Sequence, residues 1–429
     1  VKVESFSATK RTKEAPEILD ERERAKYHAR VQRAALLFGS FFRKGRPHAG
    51  MRPGSSGSDD SEVYGMLRNR FALASLSAVA LLSFLAACGS DDTSPGGTGG
   101  NAATGGVEDA EGARPPAAPE GAGPADGTDT VVLAMNKLFL GDTDRNGTAS
   151  TTAWKKYGYN LDGKVSTKAA KDLCKPPKGG TPSSTYPDGD DGIDNAFGKT
   201  LMPIIGGLAN DPTGSVQEAI DKGSFTIMLA FEKLGAGKDY NPLLTKLYGG
   251  ATLDPAPKWD GTDEWPLVPE LLNNASDPGS AKVQFPTSYV ADNTWVSGSE
   301  GTVKLSISVQ GYALSLNINK AIISAKLAAD HKSASDGIIA GVLDTEQLIA
   351  ELKKIAGNFD AGMCDGTVFD GIANQLRGAS DIMKDGSQDP SQTCDGISIG
   401  LGFDATEVKL GPIAPAAEPG EDPCAAGGG

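Results

Sequence analysis

Apolar and polar residues alternate with a period of two in several stretches of the chain. Val303, Leu305, Ile307 and Val309 alternate with Lys304, Ser306 and Ser308. After Gln310-Gly311-Tyr312 the pattern resumes, with Leu314, Leu316 and Ile318 set against Ser315, Asn317 and Asn319. A period of two with one polar face predicts an antiparallel pair with one side on a core. Similar alternation runs through Phe225-Ile227-Leu229-Phe231 and Ile397-Ile399-Leu401-Phe403, and Ile338 to Leu343 reads as a short apolar strand after the Asp336-Gly337 turn. Two segments carry a helical period instead. Asp344 and Gln347 form a capping box ahead of the stripe Leu348, Ile349, Leu352, Ile355 and Ala356, which Gly357 ends. The second helix is expected over about 367–384, with Val368, Ile372, Leu376, Ala379 and Met383 on one side. These elements predict a mainly β chain: an antiparallel β-sandwich-like domain with a helical insertion, or else an α+β domain. Neither an internal repeat nor an alternating βαβ pattern is evident.

The core signal begins at Thr130-Val131-Val132-Leu133, so a single β-rich domain is expected over 129–411. Ahead of it, residues 88–128 are almost all Gly, Ala, Pro, Asp, Ser and Thr. Such a stretch has too little apolar surface to offset its chain entropy and is expected to be a flexible tether. Residues 412–429 form a Pro/Ala/Gly-rich tail. Charge divides the chain as well: residues 1–65 carry a net +4, whereas residues from 88 onward carry −20. An acidic domain of this kind lacks the concentrated Lys and Arg that nucleic acid requires.

The charge reverses across residues 66–87. Met66-Leu67-Arg68-Asn69-Arg70 is a short basic segment, and Phe71 to Ala87 is free of charge. The run closes with Leu85-Ala86-Ala87-Cys88, followed by Gly89-Ser90. This order resembles the bacterial lipoprotein signal, whose lipobox is a Leu, two small residues and a Cys. The resemblance implies that 66–87 is a signal peptide cleaved before Cys88 and that lipid is attached to the Cys88 sulfur and the new amino terminus. It further implies a membrane anchor with the domain in the periplasm or on the cell surface. Gly rather than Asp at position 89 implies the outer membrane. Residues 1–65 are then expected to be a non-native upstream extension, with a genuine amphipathic segment over 18–42 as the alternative.

With Cys88 lipidated, Cys174, Cys364, Cys394 and Cys424 remain, an even number suited to two disulfides in an oxidising compartment. The expected pairs are Cys364 with Cys394, which flank the second helix, and Cys174 with Cys424. His331 is the only His after Cys88 and is expected in a surface turn. Zinc motifs, a nucleophile elbow and Gly-rich phosphate loops are missing, so neither a nucleotide nor a catalytic triad is indicated.

Acidic loops supply the remaining candidate chemistry. Asp188, Asp190, Asp191, Asp194 and Asn195 place hard oxygen donors at short intervals with Gly between them, a composition suited to Ca²⁺. Asp142, Asp144 and Asn146 resemble the first half of an EF-hand loop, although the twelfth position is Ala153 where that family has Glu. Trp259 and Trp265 bracket Asp260, Asp263 and Glu264 and suggest a sugar platform. Two functions follow as expectations. The first is a lipid-anchored outer-membrane lipoprotein with a non-catalytic, Ca²⁺-stabilised domain that binds an envelope protein or carbohydrate. The second is a secreted carbohydrate-active hydrolase using carboxylate pairs near Trp259 and Trp265.

Overall fold

The computed structural model describes residues 112–416, apart from 209–210, 299, 310–311, 360 and 365. Residues 1–111 and 417–429, with the signal, Cys88 and Cys424, lie outside the described residues. Strand β1 (Val131–Phe139) opens the domain. A long excursion over 140–225 follows. It holds the short helices α1 (Pro182–Thr185) and α2 (Met202–Leu208) and the longer α3 (Pro212–Asp221). Then come β2 (Thr226–Phe231), β3 (Tyr240–Gly250), β4 (Glu264–Leu267), β5 (Val283–Ala291), β6 (Thr294–Val296), β7 (Gly301–Val309), β8 (Tyr312–Leu327) and β9 (Ser333–Asp344). Helices α4 (Thr345–Phe359) and α5 (Gly366–Arg377) precede β10 (Gly396–Glu407) and β11 (Lys409–Ile413).

The chain is mainly β and its sheet is antiparallel except where β11 runs parallel to β4. The order β3-β2-β1-β10-β9-β8-β6-β5 returns to β3 through a β3–β5 pairing, so eight strands close into a barrel. Strand β7 extends the sheet from the first half of β8, and β4 with β11 extends it from β3. The antiparallel β7–β8 pair, the strands at 225–231, 338–343 and 397–403, and the helical insertion between β9 and β10 all follow the sequence pattern.

Closure explains the period-two residues. Leu133 on β1, Leu229 and Phe231 on β2, Leu247 on β3, Trp295 on β6, Ile339 on β9, and Ile399 and Leu401 on β10 join one continuous core. An eight-stranded barrel is just wide enough for side chains to fill. Trp295 stands edge-on to Phe231 at 5.4 Å and to Phe285 at 6.0 Å, and its Nε1 donates to Thr245 Oγ1 at 3.0 Å.

The opposite faces of the strands are covered too. Val132, Ala134, Met228, Ala230 and Tyr248 pack beneath Trp265, Leu267 and Leu272. Phe139, Ile338 and Ala340 pack beneath Tyr157 and Tyr159 of the excursion. For this reason β2 is buried at every position, although alternation alone predicts one polar face.

The second helix is shorter than expected. It ends at Arg377, and the chain turns at Gly378 so that Asp381 can receive Ser398 N at 2.9 Å and Ser398 Oγ at 2.6 Å. Burial of those bonds outweighs the helical pattern of Ala379 and Met383. The last part of the expected tether is also laid against the domain. Along 112–128, Ala113 N donates to Asp191 O, Tyr289 OH to Pro116 O, Asn241 N to Gly123 O, Ala125 N to Pro242 O and Gly127 N to Lys233 O. Small residues without bulky side chains let backbone meet backbone there, which composition alone does not reveal. Among the described residues no helix is long and apolar enough to cross a membrane.

Candidate functional site

The excursion over 140–225 reaches the barrel through a layer of carboxyl groups, of which Asp194 is buried and Asp162, Asp188 and Asp381 are half-buried. Asp194 is 4% exposed, and its Oδ2 accepts from Leu161 N at 2.7 Å and Asp162 N at 3.3 Å. Asp188 accepts from Ser166 N, and Asp162 accepts from Lys164 N and Gln388 Nε2, both at 2.8 Å. Asp381 completes the group from the far side of the layer. Burial pushes Asp194 well above the usual carboxylate range, and the charges of Asp162, Asp188 and Asp381 add to it. Burial likewise lifts Asp188 to about 7 and Asp381 to about 6. It lowers the Lys199 ammonium, whose Nζ donates to Pro187 O at 2.7 Å and Thr185 O at 3.3 Å.

Of the carboxylates named for Ca²⁺ in this stretch, Asp188 and Asp194 accept from separate backbone donors. Asp190 and Asp191 lie exposed on a turn. Asn195 is buried and binds three carbonyls, those of Trp154, Tyr157 and Gly400. In the upstream loop, Asp144 Oδ1 accepts from Asn146 N and Thr148 N, both at 2.9 Å, while Asp142 Oδ1 accepts from the Thr213 hydroxyl. Asn146 is exposed. Among the described residues no three or more His, Cys, Asp or Glu side chains are arranged to hold a metal ion.

Arg145 organises that upstream loop. Its guanidinium donates to Gly337 O at 3.0 Å and Phe403 O at 3.4 Å and lies 3.5 Å from both Asp336 and Asp404. It also sits 5.3 Å from the Tyr157 ring centroid and 5.7 Å from that of Phe139. Burial raises the Tyr157 phenol to about 12, which keeps it a donor to Thr143 O at 3.1 Å.

An open cleft of about 700 Å³ lies beside this loop, and it is the candidate binding site. The end of β1, from Asn136 to Phe139, lies along it together with the 143–147 loop, α3 and Trp259. Residue 136 is the extra residue of a β-bulge, because Met135 pairs with Ala405 while Lys137 pairs with Asp404. Bulges of this kind redirect a side chain. Asn136 Nδ2 donates to Thr406 Oγ1 at 3.1 Å, and its Oδ1 is buried without a hydrogen-bond partner. Thr143 Oγ1, in a residue only 7% exposed, has none either. Gln217 on α3 spans the cleft wall, donating to Asn136 O and to Asp221 Oδ1, both at 2.8 Å.

Trp259 and Trp265 do not form a two-sided platform. Trp265 is fully buried, and its ring supports Trp259 at 5.8 Å with a 36° tilt. Asp263 turns inward and accepts from Lys258 N and Trp259 N, pinning Trp259 at φ +57°. Asp260 is held below the usual carboxylate range by hydrogen bonding from Thr262, the reverse of what a general acid needs. Of the expected sugar-binding pair, Trp259 alone lines the cleft.

The cysteine pairing differs from expectation. Cys174 is joined to Cys394, with Cα atoms 5.1 Å apart, so Cys364 is not the partner of Cys394 and Cys424 is not the partner of Cys174. Flanking a helix does not bring two cysteines together. The β-bridge between Lys175 and Thr393, with Cys394 N donating to Lys175 O at 3.0 Å, does. Cys364 is itself disulfide-bonded. His331 occupies the β8–β9 turn as expected, but it is 3% exposed rather than on the surface, and its Nε2 has no hydrogen-bond partner.

Sequence reasoning missed Asn136, Arg145, Gln217, Lys199 and Asp381. Helix α3 carried a readable signal in Asp211-Pro212, an N-cap followed by Pro at the first helical position. The others are long-range partners with no local signature. Comparison with known protein families, characterised proteins and solved structures yields no match.

Proposed function

We propose that this chain is a lipid-anchored protein of the bacterial cell envelope, carrying a non-catalytic β-barrel domain that binds a ligand outside the cytoplasm. The observation that carries the reading is the order of basic segment, uncharged run and Leu85-Ala86-Ala87-Cys88. Two or three acyl chains on one residue give a stable anchor, where a single chain is marginal. The Cys174–Cys394 disulfide supports an exported location, since such bonds persist in oxidising compartments. The cleft beside Trp259 gives the domain a place for a ligand.

The test is expression of the full chain in a bacterium fed a radiolabelled fatty acid, with mass spectrometry of the mature amino terminus. The expected result is label on a chain beginning at Cys88, with the Cys88→Ser variant unlabelled and released from membranes. An unacylated chain running through Cys88 overturns the proposal.

A further inference from the structure

We infer that a disulfide joins Cys364 to Cys424 and straps the C-terminal tail across the helical end of the barrel. The chain has five cysteines. Cys174 and Cys394 are bonded to each other, and Cys364 is disulfide-bonded as well. Within the chain, Cys88 and Cys424 are the two cysteines left to pair with it. On the reading proposed above, the Cys88 sulfur carries lipid as a thioether and has no thiol to oxidise. That leaves Cys424, and to this extent the pairing rests on that reading.

Topology brings both ends of the strap to one end of the barrel. Strand β9 closes at Asp344, opposite Gly396 at the start of β10, and helix α4 follows directly at Thr345. Cys364 ends a 3-10 turn, Ala361–Cys364, that lies between α4 and α5. Antiparallel pairing puts the start of β10 beyond the end of β1, and the end of β1 beside the start of β2. Thr226 at that start pairs with Gly250, Gly250 with Leu267, and Leu267 with Ile413 of β11. The tail therefore leaves β11 at the end of the barrel that carries α4 and α5. Ala416 stands eight positions before Cys424, an extended reach of up to ~28 Å. Eight strands ~4.8 Å apart and tilted by ~40° enclose a barrel ~16 Å across, which such a segment can cross.

The surface beside Cys364 suits a covering segment. Phe369, Ala373 and Leu376 hold one side of α5 to the core, whereas Val368 on the same helix is 50% exposed. Met363 and Ile372 are half-buried. Pro423, Ala425 and Ala426 flank Cys424 with small apolar groups. Forming the bond takes two protons and two electrons from the Cys364 and Cys424 thiols. The acceptor is a disulfide-bearing oxidant, which reacts through a mixed disulfide and is left as a dithiol. The edge strand β11 and the helical insertion then become one covalent unit.

The test is a tryptic map of the full chain, expressed in the same bacterium and purified without reductant. N-ethylmaleimide is added first to block free thiols. Cleavage after Lys354, Arg377 and Lys409 yields peptides 355–377 and 410–429. They are expected to run as one species that reduction separates, and Cys424→Ser is expected to leave Cys364 open to the blocking reagent. Cys364 blocked in the unaltered chain, or bonded to a second copy, overturns the inference and leaves the anchor standing. Cys364 bonded to Cys88 overturns both. An unacylated Cys88 beside an intact Cys364–Cys424 peptide removes the anchor alone.

Discussion

Asn195 and Gly400 are joined by two reciprocal hydrogen bonds. Asn195 Nδ2 donates to Gly400 O at 2.9 Å, and Gly400 N donates back to Asn195 Oδ1 at 3.1 Å. A single side-chain amide thereby imitates a strand partner for the edge of β10 beyond the end of its pairing with β1. The same Nδ2 reaches Trp154 O and Tyr157 O, and Gly198 N donates to the same Oδ1. Gly400 is required here because a methyl group on it would run into the Tyr157 carbonyl.

Replacing Asn195 leaves several buried backbone groups without partners. Each unsatisfied buried group costs about 1–3 kcal/mol, so Asn195→Ala is expected to lower stability by about 3 kcal/mol or more. Asn195→Asp fares no better, because a carboxylate presents lone pairs to three carbonyl oxygens. Urea denaturation monitored by circular dichroism measures both; a loss below about 1 kcal/mol in Asn195→Ala would contradict this account.

The carboxyl layer sets a pH dependence of unusual sign. Asp188 and Asp381 are raised in the fold, to about 7 and about 6, from an ordinary value of 3.8. The native state therefore binds more protons than the unfolded chain between those values. Their contribution is fully present below about pH 4 and is lost as pH rises through about 6 to 7. The domain is expected to melt higher at about pH 5 than at about pH 8, the opposite of a protein held by salt-bridged carboxylates. Asp188→Asn retains an acceptor for Ser166 N but cannot ionise, so it should flatten the dependence. A melting temperature that climbs steadily from pH 5 to pH 8 would refute the prediction.

The Cys174–Cys394 bond closes a loop spanning 220 positions in sequence. In the chain-entropy account a crosslink of that span contributes about 5 kcal/mol, and measured losses for such bonds run about 2–5 kcal/mol. Cys394→Ser is expected to lower the melting temperature markedly. Non-reducing peptide mapping should recover a Cys174–Cys394 peptide and none joining Cys364 to Cys394.

Arg145 to Lys is not a conservative change. The planar guanidinium meets two carbonyls, two carboxylates and two aromatic rings at once, and an ammonium cannot reproduce that set. Arg145→Ala and Arg145→Lys are both expected to destabilise, by about 1–3 kcal/mol. Full rescue by Lys would show that charge alone matters at this position.

Local pattern made much of the barrel readable. Alternation located β2, β7, the first part of β8 and β10, a short apolar run located part of β9, and the Asp344 box located α4, where Asp344 Oδ1 accepts from Glu346 N and Gln347 N. Closure of the sheet was not readable, because it depends on β3 meeting β5, a contact fixed by the folded chain and not by either strand's period. The second covering of the barrel left one trace in sequence. Gly400 and Gly402 sit two apart on β10, and glycines so placed in a strand mark a close approach, here by the Tyr157 and Gly158 backbone at Gly400 and by the Tyr157 ring at Gly402. The acidic loops were visible as composition, but their partners, Leu161 and Ser166, are remote in the chain.

The segment 112–128 is laid against the domain by a short series of hydrogen bonds spaced along it. A pull from upstream meets Ala113 first, then the Tyr289 contact, then the Gly123, Ala125 and Gly127 bonds beside β2 and β3. Peeling it free lengthens the leash by up to ~55 Å while the hydrogen-bonded ring of eight strands stays shut. Under the proposed upstream anchor, that slack would be drawn out before a load reached the barrel.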